Sequence, residues 1–249
     1  VKEEKTVAPP KLYDLTTLQR DANRLFGFTA KQTLEYTQSL YEKKLCTYPR
    51  TDSQFLSDDM AMTAENVINA IFDTMKFVPS VMFNPDIKRV LNSKKVTDHH
   101  AIIPTVEIAL TDLAALPETE RKILSLVANR LLCATGEKHL YETVKAELTC
   151  GGSVFKASGK SVLRNGWKDF EEAFKKSFKT TEEKDAEEKK LPELREGMTF
   201  DGVQTKISEH YTTPPKHFTD VIHFESRQWK YSKCKGKILD KEELIVYDT

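Results

Sequence analysis

The sequence predicts an α+β protein with more than one domain, in which a mainly helical part precedes a strand-rich part. Apolar residues recur at helical spacing up to about residue 135. From Tyr141 onward, apolar and charged residues alternate instead, which is the pattern of half-buried strands. The chain has 249 residues, 39% of them hydrophobic. This length is enough for two compact domains or one large one.

Two capping-box patterns predict the first two helices. Thr16 is followed three residues later by Gln19, and Thr29 by Gln32. In such a box the Thr hydroxyl and the Gln side chain satisfy the free amides of a helix's first turn. Gly27 lies between the two predicted helices and is expected to separate them.

Two apolar stripes predict further helices that pack in a core. Ser57 is expected to cap the helix that carries the stripe from Ala64 to Met75. For the helix that carries the stripe from Ile123 to Leu131, Pro117 suits the first turn and Gly136 suits the C-terminal cap. The first stripe contains Ala64, Val67, Ile68, Ile71, Phe72 and Met75, and the second contains Ile123, Leu126, Val127 and Leu131.

A hairpin-rich part is predicted from Tyr141. The alternating apolar positions are Val144, Ala146, Leu148, Phe155 and Ala157, and Gly151-Gly152 predicts the turn between them. Residues 180–190 contain one Ala and otherwise only Thr and charged residues, which predicts a mobile loop or a solvated helix. Strand-like residues return at 198–207, so this segment is expected to interrupt the second part.

Composition excludes several classes of protein. Lys+Arg and Asp+Glu both number 38, so attraction to nucleic acid must come from local geometry and not from net charge. Four separated cysteines without a Cys-x-x-Cys pair argue against a zinc ribbon or a disulfide framework and favour a reducing cytoplasm. No apolar stretch of membrane-spanning length and no signal peptide is evident, so a soluble intracellular protein, or a piece cut from a longer one, is expected.

Tyr48-Pro49-Arg50 carries the first candidate chemistry. Pro49 halts regular structure where a helix ends, and loops at such positions expose side chains to substrate. A tyrosine hydroxyl, with an ordinary pKa of about 10, needs nearby positive charge to act as a nucleophile. The Arg50 guanidinium supplies that charge, and its fork matches phosphate oxygens. Alone, this tripeptide is also compatible with an ordinary loop tyrosine beside a surface arginine.

A second candidate segment places His99 and His100 before a short apolar run that ends at Pro104. Adjacent histidines seldom point in one direction within a core. From the spacing alone, a functional pair and a hydrogen-bonded structural pair both remain open.

Taken together, these segments resemble type IA DNA topoisomerases, and most of all the bacterial topoisomerase III branch. The resemblance covers about residues 11–220. The matching segments are Leu12-Tyr13-Asp14-Leu15-Thr16-Thr17-Leu18-Gln19, Leu45-Cys46-Thr47-Tyr48-Pro49-Arg50-Thr51-Asp52-Ser53, His99-His100-Ala101-Ile102-Ile103-Pro104-Thr105, Arg164-Asn165-Gly166-Trp167 and Thr212-Thr213-Pro214-Pro215-Lys216-His217-Phe218-Thr219-Asp220.

The resemblance implies a role for each matching site residue. Tyr48 would be the nucleophile that forms a 5′-phosphotyrosine link to one DNA strand. Arg50 would position the scissile phosphate, and His99 would support cleavage beside it. The residues implied in DNA binding are Thr51, Asp52, Ser53, Gln19 and His100.

The resemblance also implies a domain organisation within a toroidal fold. Residues 1–10 would be a linker, 11–134 the helical tyrosine-bearing domain, 135–208 the strand-rich arch, and 209–249 a partial or divergent start of a fourth domain. The implied partner is single-stranded DNA, bound by a monomer. The implied cofactor, Mg²⁺, would be held by an acidic toprim domain that is not evident here, so no metal site is expected in this chain and the isolated chain is expected to be inactive.

Two alternatives stay open beside this resemblance. Asp98-His99-His100 also spells the name-giving tripeptide of the DHH phosphoesterases, but the further aspartates that those metal-dependent hydrolases need are not evident. A non-catalytic module that binds single-stranded DNA would suit the basic and aromatic residues between Arg227 and Lys237. Relaxase-type nucleases fit less well, because their histidines straddle an apolar residue, whereas His99 and His100 are adjacent.

Overall fold

The computed structural model describes residues 2–178, 196–199, 209 and 211–212. Helix α1, Leu15–Phe26, starts one residue earlier than its predicted cap. Asp14 caps it instead: the Thr17 amide donates to Asp14 Oδ1 at 2.7 Å, and the Thr17 side chain accepts from the Asp14 amide at 3.2 Å. The predicted box of Thr16 and Gln19 is therefore wrong. Asp14 is the N-cap and its side chain binds the Thr17 amide, so Thr16 lies inside the first turn and cannot act as the cap.

Helix α2, Ala30–Glu42, has the predicted cap. The Gln32 amide donates to Thr29 Oγ1 at 3.2 Å, and the Thr29 amide donates to Gln32 Oε1 at 3.0 Å. Gly27 ends α1 in the left-handed conformation, with φ of 70°, as expected of a residue that separates two helices.

Helix α3, Ala61–Thr74, carries the first predicted apolar stripe except for Met75, which follows the helix in an extended conformation, and α4, Glu118–Thr135, carries the second. Ser57 does not cap α3, because a 3-10 turn, Asp58–Met60, intervenes and the Ser57 side chain makes no capping bond. Pro117 lies just before α4. Gly136 ends that helix with its amide bonded to Cys133 O, in an extended conformation.

One sheet of three antiparallel strands has the order β1-β2-β3. Strands β2, His139–Cys150, and β3, Ser153–Arg164, form the predicted hairpin around Gly151-Gly152, and both glycines have positive φ. Strand β1, Lys2–Val7, pairs with β2 from Lys2 opposite Val144 to Val7 opposite His139. Residues 2–7, predicted to be part of a linker, thus form an edge strand.

Helix α5, Lys168–Phe178, follows the hairpin and returns to the helices. Phe170 and Phe174 on this helix are buried, and so is Trp167 just before it. The Trp167 indole donates to Val7 O at 3.3 Å. Phe174 makes edge-on ring contacts with Phe26 of α1 and Phe77. Helix α5 therefore belongs to the helical body, although its sequence position lies within the predicted arch.

The remaining sequence predictions fall on other residues. The segments 180–190 and 200–207, the residues after Thr212 in the Thr-Thr-Pro-Pro motif, and the basic and aromatic tail all lie outside the described residues. Within the described part of the chain, no helix has the length and hydropathy needed to cross a membrane.

Candidate active site

The two candidate segments lie side by side in the structure. The Thr47 amide donates to Ile103 O at 3.0 Å, and the Thr105 amide donates to Leu45 O at 3.1 Å. Cys46 and Pro104 form an antiparallel bridge between them. Because the segments run in opposite directions, residues that precede Ala101 lie beside residues that follow Thr47. This pairing brings His99 to Tyr48.

The chain reaches this loop through a sharp exit from α2. Lys44 adopts a positive φ of 61°, which is uncommon for a residue with a side chain. Its carbonyl accepts a hydrogen bond from Thr105 Oγ1, and the neighbouring Lys43 ammonium forms an ion pair with Glu120 of α4. Glu120 is buried and also accepts a bond from Ser39 Oγ at 2.9 Å. The end of α2 is therefore fixed to α4 immediately before the candidate loop.

Tyr48 is half-buried between two aromatic rings. Its ring centroid lies 4.4 Å from that of His99 and 5.3 Å from that of Tyr41, the latter edge-on. Among residues 2–178 no group forms a hydrogen bond with the Tyr48 hydroxyl. The ring is thus positioned by packing, while the hydroxyl is left available to a substrate. The sequence did not predict the contact of Tyr41 with Tyr48, because a spacing of seven residues across the end of a helix gives no signal of contact.

Arg50 is exposed and lies two residues beyond Tyr48. In the described part of the chain no carboxylate forms an ion pair with its guanidinium. A guanidinium on a surface loop without an acidic partner is available for phosphate oxygens.

The loop hydroxyls predicted to contact DNA are used inside the protein. Thr51 Oγ1 donates to His99 O at 2.9 Å, and Ser53 Oγ donates to Lys95 O at 2.9 Å. Both side chains are buried. Asp52 is exposed and accepts a bond from Thr97 Oγ1 at 3.3 Å. These three residues therefore hold the loop against residues 95–99, and of the three only Asp52 is open to solvent.

The other two predicted binding residues differ in location. His100 is half-buried, and its Nδ1 lies 2.8 Å from Ala101 O, so it belongs to the paired segment. Gln19 donates from Nε2 to Ala30 O at 3.0 Å. That contact joins α1 to the start of α2 and not to the tyrosine loop.

A partly buried polar network anchors the site to α1 and α4. The Tyr13 hydroxyl donates to Asp21 Oδ2 at 2.7 Å and accepts from Arg130 at 2.8 Å, and Arg130 also pairs with Asp21. Burial raises the pKa of Tyr13 well above its ordinary value. The Ile102 amide donates to Tyr13 O at 2.8 Å, so this network supports the histidine segment from behind.

Cys46 does not compete with Tyr48 as a nucleophile. It is buried two residues before the tyrosine, and burial raises the pKa of its thiol to about 12. A thiol with that pKa stays protonated and unreactive near neutral pH.

Comparison with known proteins gives a consistent family. The model of the family described as DNA topoisomerase matches residues 1–221. DNA topoisomerase 3 of Bacillus subtilis is 39% identical over 220 residues, which are 85% of this chain and 29% of that protein. DNA topoisomerase 3 of Bacillus cereus is 36% identical over 246 residues, which are 96% of this chain and 33% of that protein. The chain thus spans about a third or less of these relatives.

A solved structure, that of full-length topoisomerase I from Thermotoga maritima, is also similar. It has a TM-score of 0.48 and 24% sequence identity, and the match covers 68% of this chain and 28% of that one.

Proposed function

The chain belongs to the DNA topoisomerase family, and from that premise we propose that it is the tyrosine-bearing part of a type IA enzyme of the topoisomerase 3 kind. Such an enzyme cuts one strand of DNA, passes a strand through the gap and reseals it. The observation that carries the proposal is the contact between Tyr48 and His99, with Arg50 exposed two residues further along the same loop. The substrate is single-stranded DNA in the bacterial cytoplasm.

The proposed reaction is a transesterification. The Tyr48 hydroxyl oxygen attacks a phosphodiester phosphorus, and the bond from phosphorus to the 3′ oxygen breaks. The hydroxyl proton of Tyr48 passes to a basic group or water in the site, and the departing 3′ oxygen takes up a proton. The broken strand keeps a 5′ phosphate joined to Tyr48 and a free 3′ hydroxyl. Because one phosphodiester is exchanged for another, resealing is the same step in reverse and needs no external energy source.

Arg50 and His99 have separate roles in this proposal. The Arg50 guanidinium holds the non-bridging phosphate oxygens and stabilises the charge that develops on them. The His99 ring, packed on Tyr48 at 4.4 Å between centroids, orients the phenol and supports proton movement at its oxygen.

Mg²⁺ is the cofactor that the family resemblance implies. Among the described residues no group of three or more His, Cys, Asp or Glu side chains is arranged to hold a metal ion. These residues do not fit a Mg²⁺ site, and the steps above involve only the side chains of this chain. The strand-rich arch and the toroid remain part of the same proposal, in which β2 and β3 would form one limb of the arch.

Covalent trapping tests this function. The complete protein that contains this chain is incubated with an oligonucleotide labelled at either its 3′ or its 5′ end and is then denatured. A 5′-phosphotyrosine link retains the 3′ label and releases the 5′ label. Tyr48→Phe should bind the oligonucleotide normally and form no adduct, because only the nucleophilic oxygen is removed.

Tyr41→Phe is the matched control, since it makes the same change in the ring beside Tyr48 and should still form the adduct. Retention of the 5′ label, or an undiminished adduct in Tyr48→Phe, would refute the assignment. Binding without any adduct in the unaltered protein would favour the non-catalytic DNA-binding module.

A further inference from the structure

Two lysines converge on one aromatic ring just beyond the candidate active-site loop. Lys95 Nζ lies 4.8 Å from the Phe55 ring centroid, and Lys11 Nζ lies 5.6 Å from it. The lysines come from positions 84 residues apart in the sequence, and Phe55 follows the loop residue Ser53 by two. We call Lys11, Phe55 and Lys95 the basic–aromatic cluster.

The two ammonium groups have no acidic partner in the described part of the chain. Neither Lys11 nor Lys95 forms an ion pair there, and both side chains are exposed. Asp52, the carboxylate of the adjacent loop, bonds to Thr97 and not to either lysine. Holding two like charges near one ring costs free energy that the ring's negative face offsets only in part. A bound anion would reduce that repulsion.

Hydrogen bonds tie this cluster to the tyrosine loop. Ser53 Oγ donates to Lys95 O at 2.9 Å and accepts from the Phe55 amide at 3.2 Å. The Ala101 amide donates to Phe55 O at 2.9 Å, and Ala101 O accepts from Thr47 Oγ1 at 3.1 Å. The cluster is therefore connected to Thr47, the residue before Tyr48, through one intervening residue, and its location relative to Tyr48 is fixed by the fold.

We propose that the basic–aromatic cluster binds the sugar–phosphate backbone of the same single DNA strand that Tyr48 attacks, at phosphates beside the scissile one. This inference rests on the proposed function. Phosphates are the expected ligand because the Phe55 ring already lies under two ammonium groups, so it supports the lysines instead of stacking a base. Contact with phosphate is independent of sequence and sensitive to salt.

The cluster also changes how the loop itself contributes to DNA binding. Thr51 and Ser53 donate their hydroxyls to protein carbonyls, so their role is to hold residues 95–99 in place. Ser53 then acts as a positioning residue for Lys95. In this proposal Lys11 and Lys95, which the sequence did not single out, contact the DNA backbone in place of the Thr51 and Ser53 hydroxyls.

Fluorescence anisotropy with labelled oligo(dT) at several salt concentrations tests the cluster. The variants of this chain are Lys11→Gln, Lys95→Gln and their combination. For single strands the slope of log K against log salt is about 0.7 for each neutralised phosphate, so each single variant should reduce the slope by about that amount, and the combination by about twice that amount. Each single variant should weaken binding several-fold at low salt, and the combination should weaken it further. Lys95→Arg should bind as the unaltered chain does, because the charge is kept.

Lys76→Gln is the matched control. Lys76 is exposed just after α3 and, like the cluster lysines, has no ion pair among residues 2–178. It should leave the slope unchanged. An abasic strand of the same length should lose as much affinity as oligo(dT) in each cluster variant, because the lost contact is with the backbone. Circular dichroism confirms that each variant is folded.

The outcomes separate this inference from the proposed function. If Arg50→Ala weakens binding while the cluster variants match Lys76→Gln, the cluster assignment is overturned and the proposed function stands. An effect confined to oligo(dT) overturns the backbone assignment in favour of a base contact. An unaltered chain that binds neither strand overturns the cluster assignment, whereas the proposed function stands or falls with covalent trapping by the complete protein.

Discussion

Tyr48 receives its surroundings from three parts of the chain. Tyr41 approaches from the end of α2, Arg50 follows in the loop, and His99 comes from a segment about fifty residues later. The two ring contacts restrict the phenol to a narrow set of orientations, since aromatic pairs prefer tilted or edge-on geometry. Its hydroxyl, without a hydrogen bond from the described residues, keeps its lone pairs for a substrate.

Arg50→Ala should lower strand cleavage by the complete protein by about two to three powers of ten. That is the scale of deleting one positioned charge from a transition state. Arg50→Lys should recover only part of the rate, because the ammonium keeps the charge but loses the fork that grips two oxygens. The measurement is the initial rate of adduct formation with a labelled oligonucleotide.

Lys76→Gln again serves as the control, as an exposed cation remote in sequence whose loss should leave the rate unchanged. Full activity in Arg50→Lys would show that charge alone is sufficient and would contradict a two-point grip on the phosphate.

The sequence could predict the chemistry of this site better than its packing. The family predicted from the motifs is confirmed by the family match over residues 1–221. The roles of Tyr48, Arg50 and His99 remain predictions. The hydroxyls of Thr51 and Ser53 illustrate the limit, because their acceptors lie 48 and 42 residues further along the chain. Local spacing carries no information on such pairings, and the DNA contact was implied by the family resemblance alone.

At the scale of elements, Gly166 joins the hairpin to α5 at the Gly-Trp motif. Its φ is 59°, and a Cβ there would lie 2.6 Å from Glu137 O and 2.7 Å from Lys138 O. These neighbours are backbone atoms at the start of the hairpin, so they cannot move aside as a flexible side chain could. Gly166 thus permits the close approach of two chain segments, in addition to its left-handed conformation.

Gly166→Ala should lower the free energy of unfolding by about 2–5 kcal/mol, which combines left-handed strain with forced backbone overlap. Gly27→Ala, with a similar φ of 70° but nothing within 4 Å of the new Cβ, should cost only the strain, about 1–2 kcal/mol. Urea denaturation of both variants measures the difference. Equal losses would mean that the close approach at Gly166 has no energetic consequence.

Elements with a strong periodic pattern were predictable, and strand β1 was not. Five of its six residues, Lys2-Glu3-Glu4-Lys5-Thr6, are polar or charged, so no apolar alternation marks them. The strand exists because β2 offers an unpaired edge more than 130 residues later. Edge strands tolerate charged residues on both faces, which removes the signal that identifies buried strands.

At the scale of the whole molecule, α5 returns the chain from the hairpin to the helical body. Phe170 and Phe174 are buried there, against rings from α1 and α3 and from the segment after α3. A boundary placed at residue 135 by sequence separates this helix from the body that buries it. The hairpin of β2 and β3 is the part of residues 135–178 that stands apart from that core.

Phe174→Ala should lower the free energy of unfolding by about 3–5 kcal/mol, because it removes a fully buried ring from a core shared by several helices. Unfolding should remain a single transition. Far-UV circular dichroism and the fluorescence of Trp167, in a Trp229→Phe background, should report the same denaturant midpoint.

Phe178→Ala, on the same helix but partly exposed, is the control and should cost clearly less. If the fluorescence of Trp167 changed well before the helical signal in Phe174→Ala, α5 would be an independent unit and its assignment to the body would fail.

The paired backbone around Tyr48 also determines how the protein would bear mechanical load. Under the proposed function, a cut DNA end is tethered to residue 48, and tension in that strand pulls on the chain there. The bond from Thr47 to Ile103 holds the loop on one side of the tether, and the bond from the Leu15 amide to Thr51 O holds it on the other. Only three residues lie between Thr47 and Thr51, so the chain around Tyr48 can extend very little under tension. Tension in the strand would therefore pass to α1 through Leu15. The helical body would move with the DNA end, whereas a loosely held loop would only extend.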